Sequence, residues 1–233
     1  TFIDTDFPDG SQDRTVEFWI KNEGQMSLNY IFSYGDIIND NGFSVLIDQN
    51  DSLYLKIGNS TYSCSQIIPQ NVWSHITIST DPSLKYTFSI DGVFINTNII
   101  SGNYNTILIG SGILGKNPNS STGYFNGKLD ELRIWDRFIS TGEFDNQFHL
   151  NSYYDSDLLR YWDFNYNYTS SFYDMLGNEM ALTNVMVTSD IPFVSYKFIT
   201  LWNGVSNSDT YTFTASQTEI NYLSLSDGIS NCL

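Results

Sequence analysis

Asp130 is the residue of this chain that most needs a chemical explanation. On the two-residue period of a strand over 127–135 it shares a face with Leu132 and Ile134. A carboxylate at the head of an apolar row is costly to bury unless it accepts hydrogen bonds or coordinates a metal, so it points either to backbone amides in a tight turn or to a hard cation. Two further oxygen-rich clusters sit on loops: Asp36, Asn39, Asp40 and Asn41 on one, and Asp48, Asn50 and Asp51 on another. Both have the short ligand spacing that calcium uses at a domain rim. Neither has the spacing of an EF-hand with its terminal bidentate glutamate, and Asx side chains that cap their own turns explain both more simply.

Catalytic readings find little support. A retaining glycosidase needs two carboxyl groups about 5 to 5.5 Å apart, and the sequence has no Glu-x-Asp-x-x-Glu run to supply them on one strand face. Asp130 and Glu131 are adjacent, which on a regular strand sends them to opposite faces. His75 and His149 lack metal-ligand or nucleophile spacing, and Gly-x-Ser-x-Gly is missing. His75 faces away from Ile76 and Ile78 and reads as a surface or packing residue. The chain reads as one that binds and does not catalyse.

The elements that must position these residues are strands. The aromatic share of 16%, with 16 Tyr and 16 Phe and almost no alanine, favours a pleated core over packed helices. Alternating runs occur at 15–21, 42–48, 52–58, 73–79, 86–90, 106–110 and 124–135, with turn dipeptides at Asp91-Gly92 and Asn126-Gly127. One helix is expected over 141–149, because Ser140 and Glu143 form a capping box and Phe144 and Phe148 give it one apolar stripe. Further strand-like runs follow at 158–164 and 172–182. The composition shifts after Pro192, so residues 1–190 read as one sandwich and 191–233 as a β-rich extension or the start of a second β-domain.

The formal net charge of −16, from 26 acidic and 10 basic residues, opposes binding to a phosphate backbone or an anionic membrane. No stretch approaches the roughly 20 apolar residues of a membrane span. The first residues lack the regions of a signal peptide, and a strand-like run is already under way at Thr1, as in a domain cut from a longer chain. Asn-x-Ser/Thr sequons begin at Asn50, Asn59, Asn119 and Asn167 and would be glycan acceptors in a secreted protein. Cys64 and Cys232 either pair or leave Cys232 to bond beyond the chain. Trp19, Trp73, Trp135 and Trp162 fall in strands and are expected in the core, whereas Trp202, Tyr104, Tyr124, Tyr153 and Tyr154 lie in looser segments where exposed rings can stack on sugars.

Four blocks in order carry a family likeness: Val16-Glu17-Phe18-Trp19-Ile20-Lys21, Trp73-Ser74-His75-Ile76-Thr77-Ile78, Ile90-Asp91-Gly92-Val93, and the run from Gly127 to Arg137 that includes Leu129-Asp130-Glu131-Leu132-Arg133-Ile134-Trp135. Together they resemble the laminin-G-like, pentraxin-like branch of the concanavalin A-type jelly rolls, over roughly residues 1–187. The block Leu159-Arg160-Tyr161-Trp162-Asp163-Phe164 departs from that pattern, since in many relatives its counterpart precedes the first sandwich strand. The resemblance implies an antiparallel jelly-roll β-sandwich and a structural calcium held by Asp130, with Gly42 and Asp4 as counterparts of the backbone ligands. It also implies an extracellular adhesion or recognition module for a glycan or a protein. The alternative is a building block of an extracellular assembly that pairs with its own copies or adjoining domains.

Overall fold

Alternation in the sequence sets the central strand. In β1 (Arg14–Asn22), Val16, Phe18 and Ile20 enter the main core, and Thr15, Glu17 and Trp19 face the other way. Twelve more strands follow in the same unit: β2 (Asn29–Asp36), β3 (Asn41–Ile47), β4 (Ser52–Ile57), β5 (Ser60–Ile67), β6 (Trp73–Thr80), β7 (Lys85–Ile90), β8 (Val93–Ile99), β9 (Gly112–Leu114), β10 (Gly127–Trp135), β11 (Leu158–Trp162), β12 (Ser171–Tyr173) and β13 (Glu179–Ala181). The computed structural model describes residues 1–81, 83, 85–101, 104–120, 123–140, 143, 156–164, 171–174, 177, 179–181, 188, 190, 192–197, 212–216, 225–226 and 231–232, with backbone alone at 171–172, 193–197, 212–216, 225–226 and 231–232.

These strands form an all-β antiparallel sandwich. One sheet has the order β11-β10-β1-β6-β7-β8 and the other β5-β4-β3-β2-β9. Their facing sides supply one core, with Val16, Phe18, Ile76, Ile78, Phe88, Leu132, Ile134 and Trp162 from the first and Phe32, Tyr34, Phe43, Val45, Leu53 and Leu55 from the second. Phe2 bridges Gly112 and Met180 and stacks on Phe32 at 5.5 Å, which ties the first residues into the edge beyond β9. The Asp91-Gly92 dipeptide turns β7 into β8 with positive φ at both positions, the geometry of a tight hairpin.

Arg14 rivets the two sheets together. It is fully buried, and its guanidinium donates to Tyr34 Oη and Thr106 Oγ1 (2.7 Å each) and to the carbonyls of Gln12 (3.2 Å), Asp9 (3.2 Å) and Gly10 (3.1 Å). The rings of Tyr34, Phe43 and Tyr104 surround it. All its donors are spent on neutral acceptors and none on a carboxylate, and this keeps the buried cation solvated by protein.

Two expectations need adjustment. The run 106–110 is not a strand: it makes an isolated bridge from Thr106 to Gly10. The expected helix over 141–149 lies outside the described residues apart from Glu143, whose Oε1 accepts the Ser140 amide (3.0 Å), the glutamate half of a capping box, and the Ser140 hydroxyl (2.9 Å), while the Glu143 amide donates to the Ser140 carbonyl (3.0 Å) and not to the hydroxyl. No helix occurs among the described residues, and none is long and apolar enough to cross a membrane.

Residues Thr188–Leu233 separate as a second unit from Thr1–Val187. Its described backbone forms two hairpins, β14 (Phe193–Lys197) with β15 (Thr212–Ser216) and β16 (Leu225–Ser226) with β17 (Asn231–Cys232).

Candidate functional site

A β-bulge in β10 decides where its carboxylates go. Glu17 of β1 opposes Arg133 and Trp19 opposes Asp130, so one extra residue is accommodated between these pairs, with Glu131 at φ +53°. Leu129 and Leu132 both pack on the main core. Asp130 and Glu131 therefore both face outward. This corrects two readings of the sequence: Asp130 does not share a face with Leu132 and Ile134, and Asp130 and Glu131 do not point to opposite sides. A regular period of two cannot register the inserted residue.

The outward face of the six-stranded sheet is buried all the same, and it holds an ion cluster. Arg133 donates to Glu17 Oε1 (3.2 Å) and Glu131 Oε2 (2.6 Å) and lies over the Tyr161 ring, while the Tyr161 hydroxyl donates to Glu131. His75 Nε2 is 3.8 Å from Glu17 Oε2, and the His75 ring packs against Trp19. Burial pushes the Glu17 carboxyl up against the pull of Arg133. Burial works to lower the Arg133 pKa, but Glu17 and Glu131 prevail and raise it. Burial and the neighbouring Glu131 charge push Asp130 up to about 8, although Asp130 Oδ1 accepts the Glu131 amide at 2.9 Å. Out of reach of solvent one guanidinium is shared by two glutamates, with the Glu17 and Asp130 carboxyls pushed towards their neutral forms, an arrangement that suits a scaffold.

The expected calcium ligands do not converge. Asp4 is fully buried beside the other sheet, where its Oδ2 accepts the Gly35 amide at 3.0 Å. Gly42 opposes Gly35, and its carbonyl accepts the Gly58 amide at 3.1 Å. An added Cβ at Gly42 would lie 2.1 Å from Ile37 Cδ1, so close packing is what calls for glycine there. Asp130 is on the far side of the opposite sheet, and stacked sheets lie about 10 Å apart. One ion cannot be reached by all three. Among the described residues no group of three or more His, Cys, Asp or Glu is placed to hold a metal.

The loop acids are engaged, Asp36 and Asp48 in their own turns, Asp40 with Lys56, and Asp51 with the side chains of Asn22 and Gln70. Asp48 Oδ1 accepts the amides of Asn50 and Ser52 (2.9 Å each), and Asp48 Oδ2 accepts the Tyr54 hydroxyl (3.1 Å). Against the effect of burial, these donors hold its carboxyl below the usual range. Asp36 accepts the Asn39 amide and side chain, and Asp40 pairs with Lys56 at 3.2 Å.

The outward face of the five-stranded sheet is different. Leu46 lies between Val45 and Ile47, and Tyr54 between Leu53 and Leu55, so both turn away from the core by alternation. Tyr30 opposes Leu46, Leu46 opposes Tyr54, and Tyr124 bridges to Tyr30 from the segment beside β2. The row Tyr124–Tyr30–Leu46–Tyr54 thus crosses three neighbouring strands, β2, β3 and β4, and the segment bridged to β2 at Tyr124. Tyr30 and Leu46 close its middle, whereas Tyr54 is partly open and Tyr124 is 53% exposed with Lys116 over its ring. The sequence reading names Tyr124 but misses Tyr54 and Tyr30; the alternation of Ser52–Ile57 is the signal that could have found Tyr54. Tyr104 is buried, its hydroxyl bonded to Gln12 O (3.0 Å) and to Thr80 Oγ1 (2.6 Å).

Trp162 enters the main core, Trp135 is buried in a separate cluster with Ile139, Leu158 and Tyr161, Trp19 is buried on the outward face, and Trp73 is partly exposed. Asn50, Asn59 and Asn119 are all exposed on turns or loops. Cys64 is a buried free thiol on β5. Asn167, His149, Tyr153, Tyr154, Trp202 and the side chain of Cys232 lie outside the described residues.

The family model described as the concanavalin A-like lectin/glucanases superfamily matches residues 2–143. No curated protein matches the chain by sequence. Among solved structures, a protein from Bacteroides ovatus described as a carbohydrate-binding protein superposes with a TM-score of 0.62 at 17% identity, covering 76% of this chain and 54% of that one, so the chain spans about half its length. The CBM40 of the Ruminococcus gnavus IT-sialidase, solved with α2,3-sialyllactose, superposes at a TM-score of 0.50 and 16% identity over 59% of this chain and 83% of that one. A heptameric SAP-like pentraxin from Limulus polyphemus gives 0.46 and 21% over 58% and 69%. At these identities the likeness is one of fold.

Proposed function

The chain belongs to the concanavalin A-like lectin/glucanases superfamily, and from that premise we propose that it is a non-catalytic extracellular module that binds a glycan on the outward face of its five-stranded sheet. The row from Tyr124 to Tyr54 carries this reading. A sugar ring presents an apolar face of C–H groups and a rim of hydroxyls, so it suits a phenol ring beside fixed donors and acceptors. Tyr54, Asp48 and Lys56 offer that combination at one end, and Tyr124 with Lys116 offers it at the other. Three strands and the segment bridged to them span three gaps of about 4.8 Å, roughly 14 Å in all, enough for more than one sugar.

The placement of the carboxylates supports a binding role. Asp130, Glu131 and Glu17 are buried, and Glu131 is held by Arg133 and Tyr161. On the open face Asp48 holds its turn and Asp40 holds Lys56. The exposed sequons at Asn50, Asn59 and Asn119 support an extracellular address. Because Asp4, Gly42 and Asp130 do not converge, binding is expected to be indifferent to a calcium chelator.

A glycan array run with and without chelator, followed by calorimetric titration of the best ligand, tests the reading. The expected result is binding in both conditions that weakens in Tyr54→Ala and Tyr124→Ala. Failure to bind any glycan class, or unchanged affinity in the double variant, would overturn it.

A further inference from the structure

The two open ends of the tyrosine row are held in different ways. Tyr54 sits within β4, whereas Tyr124 belongs to no strand and meets its neighbours Tyr30 and Lys116 through isolated bridges. A segment so lightly paired needs another anchor if its ring is to stand in a fixed place.

Gln25, on the loop between β1 and β2, supplies that anchor. It is only 7% exposed, and its carboxamide spends its full capacity of two donors and two acceptors. Nε2 donates to Asn22 Oδ1 (2.8 Å) and to the Asn126 carbonyl (2.7 Å), and Oε1 accepts Asn29 Nδ2 (3.0 Å) and the Asn126 amide (3.0 Å). Asn126 answers with its own side chain, whose Nδ2 donates to the carbonyls of Glu23 (3.2 Å) and Gly24 (3.0 Å). Asn126 lies two residues after Tyr124, and Asn29 immediately precedes Tyr30. One side chain therefore grips the chain beside both rings.

The connection continues to the other end of the row. Asn22, fully buried at the end of β1, donates to Asp51 Oδ1 at 2.7 Å, and the Asp51 amide donates to the Asp48 carbonyl at 3.1 Å. Asp48 in turn accepts the Tyr54 hydroxyl. Hydrogen bonds thus run unbroken from Asn126 through Gln25, Asn22 and Asp51 to the residue that holds Tyr54.

We propose that Gln25 is a positioning residue of the binding face, whose carboxamide sets where the Tyr124 ring stands beside Tyr30 and, through Asn22 and Asp51, the spacing between the two open ends of the row. Its purpose rests on the glycan reading; its geometry does not. Removing the carboxamide leaves the Asn126 amide and Asn29 Nδ2 short of an acceptor in a buried place, and the segment carrying Tyr124 must shift to pair them again. A sugar chain that touches both ends gains from a spacing set in advance, because less remains to be ordered when it binds.

Fluorine NMR of the full chain labelled with fluorotyrosine tests the geometry without any ligand, and Tyr124→Phe and Tyr54→Phe identify the two signals. Gln25→Ala and Gln25→Met, the second of which keeps the side-chain volume, are expected to shift or broaden the Tyr124 signal well below the thermal midpoint of each variant. Gln66→Ala, which removes an exposed carboxamide of β5, is expected to leave that signal in place. Titration with the oligosaccharide of highest array signal tests the purpose. Gln25→Ala is expected to raise its dissociation constant at least about threefold, and by less than about twofold when Tyr124→Ala is already present. A Tyr124 signal unmoved by both Gln25 variants would overturn the positioning role, whether or not a glycan binds. A loss of affinity that multiplies in full with that of Tyr124→Ala would make Gln25 a general stabiliser and overturn it equally. If the wild type binds no glycan, the glycan reading falls and the fluorine spectra alone decide for or against Gln25.

Discussion

The outward faces of the two sheets invert the usual expectation about charge and exposure. The six-stranded sheet turns Glu17, Asp130, Glu131 and Arg133 outward, yet all are buried; the five-stranded sheet turns tyrosines outward, and Tyr54 and Tyr124 meet solvent. In the proposed function the ionisable residues of the first face serve the scaffold and the open tyrosines of the second serve recognition.

The largest effect that can break this comparison is on stability. Replacing Arg133 by Met leaves Glu17 and Glu131 buried without their cation, and a loss of about 3–5 kcal/mol is expected in denaturant unfolding. If Arg133→Met unfolds at the wild-type midpoint, the cluster is not a scaffold element. On the other face, Tyr54→Ala with Tyr124→Ala is expected to reduce glycan affinity about tenfold or more, about 1.4 kcal/mol, while the thermal midpoint stays near wild type. A large fall in that midpoint would make the row a packing feature.

A pH series sharpens the contrast. The Asp130 carboxyl is raised to about 8 in the folded chain, against about 3.9 when unfolded. Its contribution is therefore complete below the unfolded value and is lost as pH rises through about 8. Glu17, Asp4 and Asp91 are raised by burial as well and act in the same direction. The thermal midpoint is expected to fall between pH of about 5 and about 9, and Asp130→Asn, which can still accept the Glu131 amide, should flatten that fall. A wild-type slope in the variant would mean that Asp130 does not titrate where its burial places it. The smallest effect belongs to the open face: Lys56→Ala removes a solvent-screened ion pair to Asp40 and is expected to change stability by less than about 1 kcal/mol, less still at high salt.

Alternation made β1, β3, β4, β6 and β7 readable, because each sends one side chain in two into the core. β2 escaped because Tyr30, Ile31, Phe32 and Tyr34 are all buried, which leaves no period to detect. β5 and β8 escaped because edge strands carry few core residues. The bulge at Glu131 is a left-handed backbone position at a residue that gives no warning of it, and it moved Asp130 off the face where a metal was expected. The rivet at Arg14 was equally hidden. Its partners Tyr34 and Thr106 are far away in sequence, and only the closed sandwich brings their hydroxyls to its guanidinium.

The position of β1 also sets an order of events during synthesis. It is made before both of its partners, since it lies between β6 and β10, so one of its edges finds a partner only when Trp73–Thr80 has emerged and the other only after Gly127–Trp135. Until then the nascent chain holds an open strand bearing Val16, Phe18, Trp19 and Ile20, the state in which non-local β-folds are most prone to misassociate. Arg14, Glu17 and Lys21 are the charges on that waiting strand, so residues destined for the buried rivet and the buried ion cluster are also what makes the unpaired strand less apolar.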